Sequence, residues 1–219
     1  MGFGIALIGY CFMIMGDFGG AIFAAPLLAY GFFLASRLEK NFLNAAVSSL
    51  FLLPRGIYII VYSFINYGKA EQSLKLMQSL NLITFLIFQL AWLLTSYFWL
   101  TAVINIANEC NSPMIYKRAK RTMNITLPYI MLSAAATFLN SFGVLGIYAG
   151  AMSTVIFILM YVVIIINLVM LHTCFVLITS ERQYQRDKQQ LAKERADALK
   201  KAEEDRKEEA KQLEDRKNK

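Results

Sequence analysis

Arg55 is the residue whose position most needs a chemical explanation. It follows Pro54 and is residue 14 of an apolar run that begins at Phe42. At the helical rise, that places it roughly 20 Å along the run, past the midplane of a bilayer. A guanidinium at that depth needs a counter-charge, hydrogen bonds or water. Before Glu181 the acidic residues are Asp17, Glu39, Glu71 and Glu109. Of these, Asp17 sits in a turn on the matching side, so an Asp17–Arg55 approach is expected as an intramembrane functional or structural pair. The plainer alternative has Pro54 breaking the helix and Arg55 snorkelling to the outer headgroups. A second set is Gln89, Thr95, Ser96, Thr101 and Asn105, all within a charge-free stretch. Such groups could line a path. Hydroxyls and amides in apolar helices also bond their own backbone or a neighbouring helix.

Other reactive types are isolated. His172 is the only histidine and has no second ligand near it in sequence, so it reads as an interfacial or bundle residue. Cys11, Cys110 and Cys174 form no CxxC pair and read as small apolar fillers. The chain carries no HExxH, GxSxG or Gly-Lys-Ser/Thr phosphate loop, and no paired intramembrane carboxylates. No catalytic residues, no cofactor and no metal site are expected, and the chain reads as non-enzymatic.

The elements that must position these residues follow from hydropathy. Apolar residues make up 57% of 219, and the mean hydropathy is +0.47. Between Thr122 and Ser180 there is no charged residue, whereas 24 of the last 39 residues are charged. The first stretch belongs in lipid and the second in water. The expected fold is an all-α integral membrane protein with about six transmembrane helices in three hairpins. A transmembrane domain covers 1–179, and a charged cytoplasmic helical tail covers 180–219.

The spans are read as Phe3–Met15, Ala21–Ala35, Phe42–Asn66 interrupted by Pro54-Arg55-Gly56, Leu80–Asn108, Met123–Phe142 and Ala151–Thr179. Gly16–Gly20 forms the first turn, and a re-entrant hairpin is the alternative for the two short arms. Gly20, Ala21, Ala24, Ala25 and Ala29 give the second arm small residues for close helix approach. Pro26 should kink that arm. Glu109–Thr122 is read as a basic loop, and Gly143, Gly146 and Gly150 as an uncharged turn. No removable signal peptide is evident. The basic loops Arg37–Lys40 and Lys117–Arg121 fall on the side of the tail, which makes both termini cytoplasmic.

Net charge is +7, of which +5 lies before Glu181. Those basic residues sit where membrane topology wants them, so nucleic acid is not expected as a partner. The tail is rich in helix formers and in opposite charges four apart, such as Lys193–Asp197 and Lys211–Asp215. Its apolar seam of Tyr184, Leu191 and Ala198 stops at Asp205, which argues against a coiled coil.

The opening Gly2-Phe3-Gly4-Ile5-Ala6-Leu7-Ile8-Gly9-Tyr10 resembles the start of small, uncharacterised multi-spanning membrane proteins of Firmicutes. The resemblance covers the first hairpin. It implies a bacterial cytoplasmic membrane and carries no activity with it.

The leading functional expectation is a membrane scaffold or regulator whose tail, 181–219, docks a cytoplasmic protein. The alternative is a small oligomeric transporter or channel using Arg55 and the polar set of the fourth span. A lipid-directed enzyme is a third class, disfavoured by the missing catalytic groups. Beyond the lipid bilayer, the partners are a cytoplasmic protein and further copies of the chain. A chain ending at Ser180 should lose cytoplasmic partners that the full chain retains in crosslinking and pull-down. Identical partner sets would remove the docking role.

Overall fold

The computed structural model describes residues 2–15, 19–67 and 74–177. Asp17 and the tail, 181–219, lie outside the described residues. The chain divides into two units, Met1–Phe175 and Val176–Lys219. In the second unit only 176 and 177 are described, as the end of a helix.

All regular structure among the described residues is helical: α1 (Gly2–Met13), α2 (Ala21–Ala35), α3 (Asn41–Leu50), α4 (Leu53–Tyr67), α5 (Leu74–Glu109) and α6 (Pro113–Ser141). A 3-10 turn at Gly146–Tyr148 leads into α7 (149–177). Four segments are long and apolar enough to cross a membrane: Asn41–Phe64, Ser79–Glu109, Pro113–Ser141 and Gly146–Leu177. The chain is thus a helical membrane protein by length and composition. Helices α1 and α2, of 12 and 15 residues, are shorter than the ~20 residues of a full span.

The third span, expected to be interrupted at Pro54-Arg55-Gly56, is divided just before that step into α3 and α4. Phe51 and Leu52 donate to the Ser48 and Ser49 carbonyls, both at 3.1 Å, so the last turn tightens. Pro54 has no N–H to offer the carbonyl four residues back, which is why α-helical bonding cannot run through. By contrast Pro26 sits inside α2 and Pro128 inside α6 without ending either helix.

The basic stretch expected as a loop is helical. Helix α5 runs to Glu109, and α6 starts at Pro113, so Lys117, Arg118, Lys120 and Arg121 stand on the first turns of α6. Asn111, at φ 49°, turns the chain. The Ser112 and Asn111 N–H groups donate to the Ala107 and Asn108 carbonyls at 2.9 and 3.2 Å. This is a Schellman ending with asparagine in the glycine position, and Pro113 then opens the next helix. Gly143, at φ 70°, ends α6 the same way, through Val144 N–H to Leu139 O at 3.1 Å.

Helix α1 packs on α2, α2 on α3 and α4, α3 and α4 on α5, and α5 on α6. An aromatic core joins the first three helices to α5. Phe32 stacks on Phe42 and Trp99 at 6.1 and 6.2 Å, and Phe3 meets Phe42 edge-on at 5.3 Å. Trp99 Nε1 donates to the Tyr10 hydroxyl at 3.2 Å, and that hydroxyl lies 3.5 Å from Ser96 Oγ.

Glycine sets the spacing of the α1–α2 hairpin. A Cβ on Gly31 would fall 2.6 Å from Ala6 N, closer than any real contact. Gly31→Ala should therefore lower stability by about 1–3 kcal/mol, the cost of overpacking a rigid seam. Gly150, on α7, has nothing within 4 Å of a built Cβ. Gly150→Ala should be neutral or stabilising by up to ~1 kcal/mol. Melting curves of the purified variants check both.

Candidate functional site

Helices α4, α5, α6 and α7 line a half-open cavity of about 200 Å³. Helix α5 supplies Phe85, Phe88, Gln89 and Trp92, and α6 supplies Tyr129, Ser133 and Asn140. Helix α7 adds Ser153, Ile156 and Met160, Met13 closes it from α1, and Arg55 and Ile59 come from α4. Phe85 to Trp92 is seven residues, so the cavity wall rises roughly 10 Å along α5. Most of that wall is aromatic or aliphatic, with a few convergent polar groups, as in small-molecule sites.

Gln89 is the central polar group, with 4% of its surface exposed. Its Nε2 donates to Ser133 Oγ at 3.1 Å, tying α5 to α6. Its Oε1 is buried without a hydrogen-bond partner. An amide carbonyl left unpaired in an apolar setting costs about 1–3 kcal/mol. Gln89 lines the cavity, so a turn of its amide would bring that oxygen to a ligand's donor. Trp92 stands beside Gln89, held at 6.0 Å from both the Phe88 and Tyr129 rings. Tyr129 donates to the Ile156 carbonyl at 3.1 Å and so ties α6 to α7.

Arg55 stands at the cavity mouth. Its Nη1 donates to Asn81 Oδ1 at 2.5 Å and reaches the Asn81 carbonyl at 3.4 Å. The guanidinium lies over Tyr58 and Phe85, 5.5 and 5.4 Å from the ring centroids. These contacts supply the electrostatic company that a half-buried cation needs. Its expected partner Asp17 falls outside the described residues. Next to that gap, a Cβ on Gly19 would lie 2.9 Å from Ile60 Cγ1, so the end of the α1–α2 hairpin rests against α4.

The polar set of α5 does not form one face. At about 100° per residue, Gln89 and Ser96 point one way, Thr101 and Asn105 another, and Thr95 a third. Their partners differ accordingly. Thr95 lies 3.0 Å from Ser48 Oγ on α3, Ser96 faces Tyr10 on α1, and Asn105 reaches Glu39 Oε1 at 3.4 Å. Glu39 also accepts from the Asn41 backbone at 2.9 Å and so closes the start of α3. Only Gln89 of the five lines the cavity. Sequence reasoning missed Ser133, Tyr129 and Trp92 as wall residues. Of these, Ser133 carried a signal, a lone hydroxyl in the small-residue run Ser133–Ala136.

His172 is exposed and Cys174 buried, two residues apart on α7. Among the described residues no three His, Cys, Asp or Glu side chains gather to hold a metal. No family model, no curated protein and no solved structure matches the chain.

The Ser48–Thr95 bond is the fastening nearest the helix break. A double-mutant cycle of Ser48→Ala and Thr95→Val should give a coupling of about 0.6 kcal/mol, the usual value between membrane helices. Unfolding of the four species in detergent reads it.

Proposed function

We propose that this chain is a carrier, or a membrane-embedded receptor, for a small, mainly apolar solute that donates a hydrogen bond. The observation that carries this reading is Gln89, a residue of the 200 Å³ cavity wall whose buried Oε1 has no hydrogen-bond partner and would meet a solute's donor by a turn of the amide. A dry apolar cavity of ~150 Å³ holds benzene, so this one suits a substituted single ring or a solute of similar bulk. The broken third span and the short α1–α2 hairpin support the same reading. Interrupted helices inside a membrane are tolerated where they border protein or a cavity, and carriers place their sites beside them.

In this reading the hairpin is re-entrant and four helices span. Both termini then remain in the cytoplasm, because the basic residues Arg37, Lys40 and Lys117–Arg121 collect on one side. The membrane is a bacterial cytoplasmic membrane, and the carrier works as an oligomer. Asp17 approaches Arg55 at the outer end. The charged segment 181–219 gives the same protein a docking element for a cytoplasmic partner.

Two probes of nearly equal shape test the site: p-cresol, which donates a hydrogen bond, and toluene, which does not. In nanodiscs, corrected for empty nanodiscs, p-cresol should bind about tenfold more tightly than toluene. Gln89→Leu should weaken p-cresol and bring toluene level with it or above. Saturable binding of neither probe, or a Gln89→Leu variant with an unchanged preference, would sink the reading.

A further inference from the structure

Asn167 Nδ2, on α7, donates to Thr126 Oγ1, on α6, at 2.9 Å, and a second opening between the two helices lies on the side of this bond away from the Gln89 cavity. It is a cleft of about 370 Å³, lined by Arg118, Arg121 and Thr122 at one end and by Ile125, Ile165 and Val169 along its length. We propose that this cleft binds an anionic phospholipid. The two guanidiniums take the headgroup phosphate, and an acyl chain lies along the isoleucine and valine side chains.

Charge is the first argument. Arg118 and Arg121 are three apart, so they stand on one helix face. Neither has a hydrogen bond or ion pair among the described residues. Helices α6 and α7 contain no Asp or Glu at all. Two cations therefore face a cleft whose own walls offer no counter-charge. Guanidinium is planar and bidentate toward phosphate, and it needs such an acceptor more than a hydrated ammonium does.

Shape and setting are the second. Ile165 and Val169 are 54% and 59% exposed on a segment fit to cross a membrane, so they face lipid chains rather than water. Thr122 is buried at the head of the cleft and adds a hydroxyl beside the arginines. A free anion would use the head of this cleft and leave its apolar length empty, whereas a phospholipid uses both. Basic pockets between membrane helices at the cytoplasmic end are a recurring form of anionic-lipid site.

The full chain in mixed phosphatidylglycerol–phosphatidylcholine nanodiscs should retain phosphatidylglycerol selectively when transferred to detergent and weighed by native mass spectrometry. Phosphatidylglycerol, and not phosphatidylcholine, should also raise the melting temperature of the unmodified protein. R118Q/R121Q should weaken retention about tenfold or more. K117Q/K120Q removes equal charge from the adjacent face and should retain the lipid. Equal retention of the two lipids, or equal loss in the lysine and arginine pairs, would overturn the site. If inorganic phosphate displaces phosphatidylglycerol as well as a second phosphatidylglycerol does, the cleft is an anion site and the lipid assignment falls. Should R118Q/R121Q fail to fold, the melting shift of the unmodified protein decides alone.

Discussion

A bilayer interior offers no hydrogen bonds, and the rest of this molecule is arranged around that lack. Helices satisfy their own backbones, so the described chain uses little else. Where the third span breaks, Phe51 and Leu52 still find carbonyls at 3.1 Å, and Pro54 brings no donor that could be stranded. Ser48 and Ser49 turn their hydroxyls back on the Asn44 and Ala46 carbonyls, both at 2.8 Å. Polar side chains that point between helices meet one another: Ser48 with Thr95, Tyr10 with Trp99, and Asn167 Nδ2 with Thr126 Oγ1 at 2.9 Å. Two buried amide carbonyls among the described residues still lack a partner, Asn167 Oδ1 and Gln89 Oε1, and of the two residues Gln89 is the one that lines the cavity.

The same solvent removes the usual reason for apolar surfaces to associate. Leucine is as comfortable against lipid as against protein, so helices must be held by close fit and hydrogen bonds. That explains how two helices too short to span are fixed in place. Gly31 lets α2 reach the α1 backbone near Ala6, and a Cβ on Gly56 would fall 2.7 Å from Ile22 N where α4 meets α2. Large rings fill what remains, with Tyr10, Phe32, Phe42 and Trp99 all fully buried. The hairpin is thus anchored at both ends of its length. Met13, near its tip, forms part of the cavity boundary.

Much of this was legible in the sequence because lipid imposes simple rules. Long uncharged stretches marked the spans, the Pro54-Arg55-Gly56 step marked the break, and Gly143 marked a turn. The Glu109–Thr122 stretch misled, since its charges looked like a loop. Lysine and arginine are good helix formers, and Pro113 fits the first turn of a helix, so α6 begins early. The polar set on α5 misled for another reason. Composition placed five polar residues in one span, but at 3.6 residues per turn they point in three directions. Which neighbour each meets depends on helix arrangement, and a single sequence without repeats does not encode that visibly. The cavity was illegible for the same reason, because side chains of five helices build it.

The α6–α7 seam brings the two sites into one frame. Two hydrogen bonds among the described residues cross it, from Tyr129 to the Ile156 carbonyl and from Asn167 to Thr126. Helix α7 has no charge and few polar groups, so little else fastens it specifically. The seam opens on either side of these fastenings, into the cavity at one end and the arginine cleft at the other. The two openings differ in charge. The cavity sets the Gln89 amide against a largely apolar wall with one guanidinium, Arg55, at its mouth, whereas the cleft gathers two, Arg118 and Arg121, which can only donate.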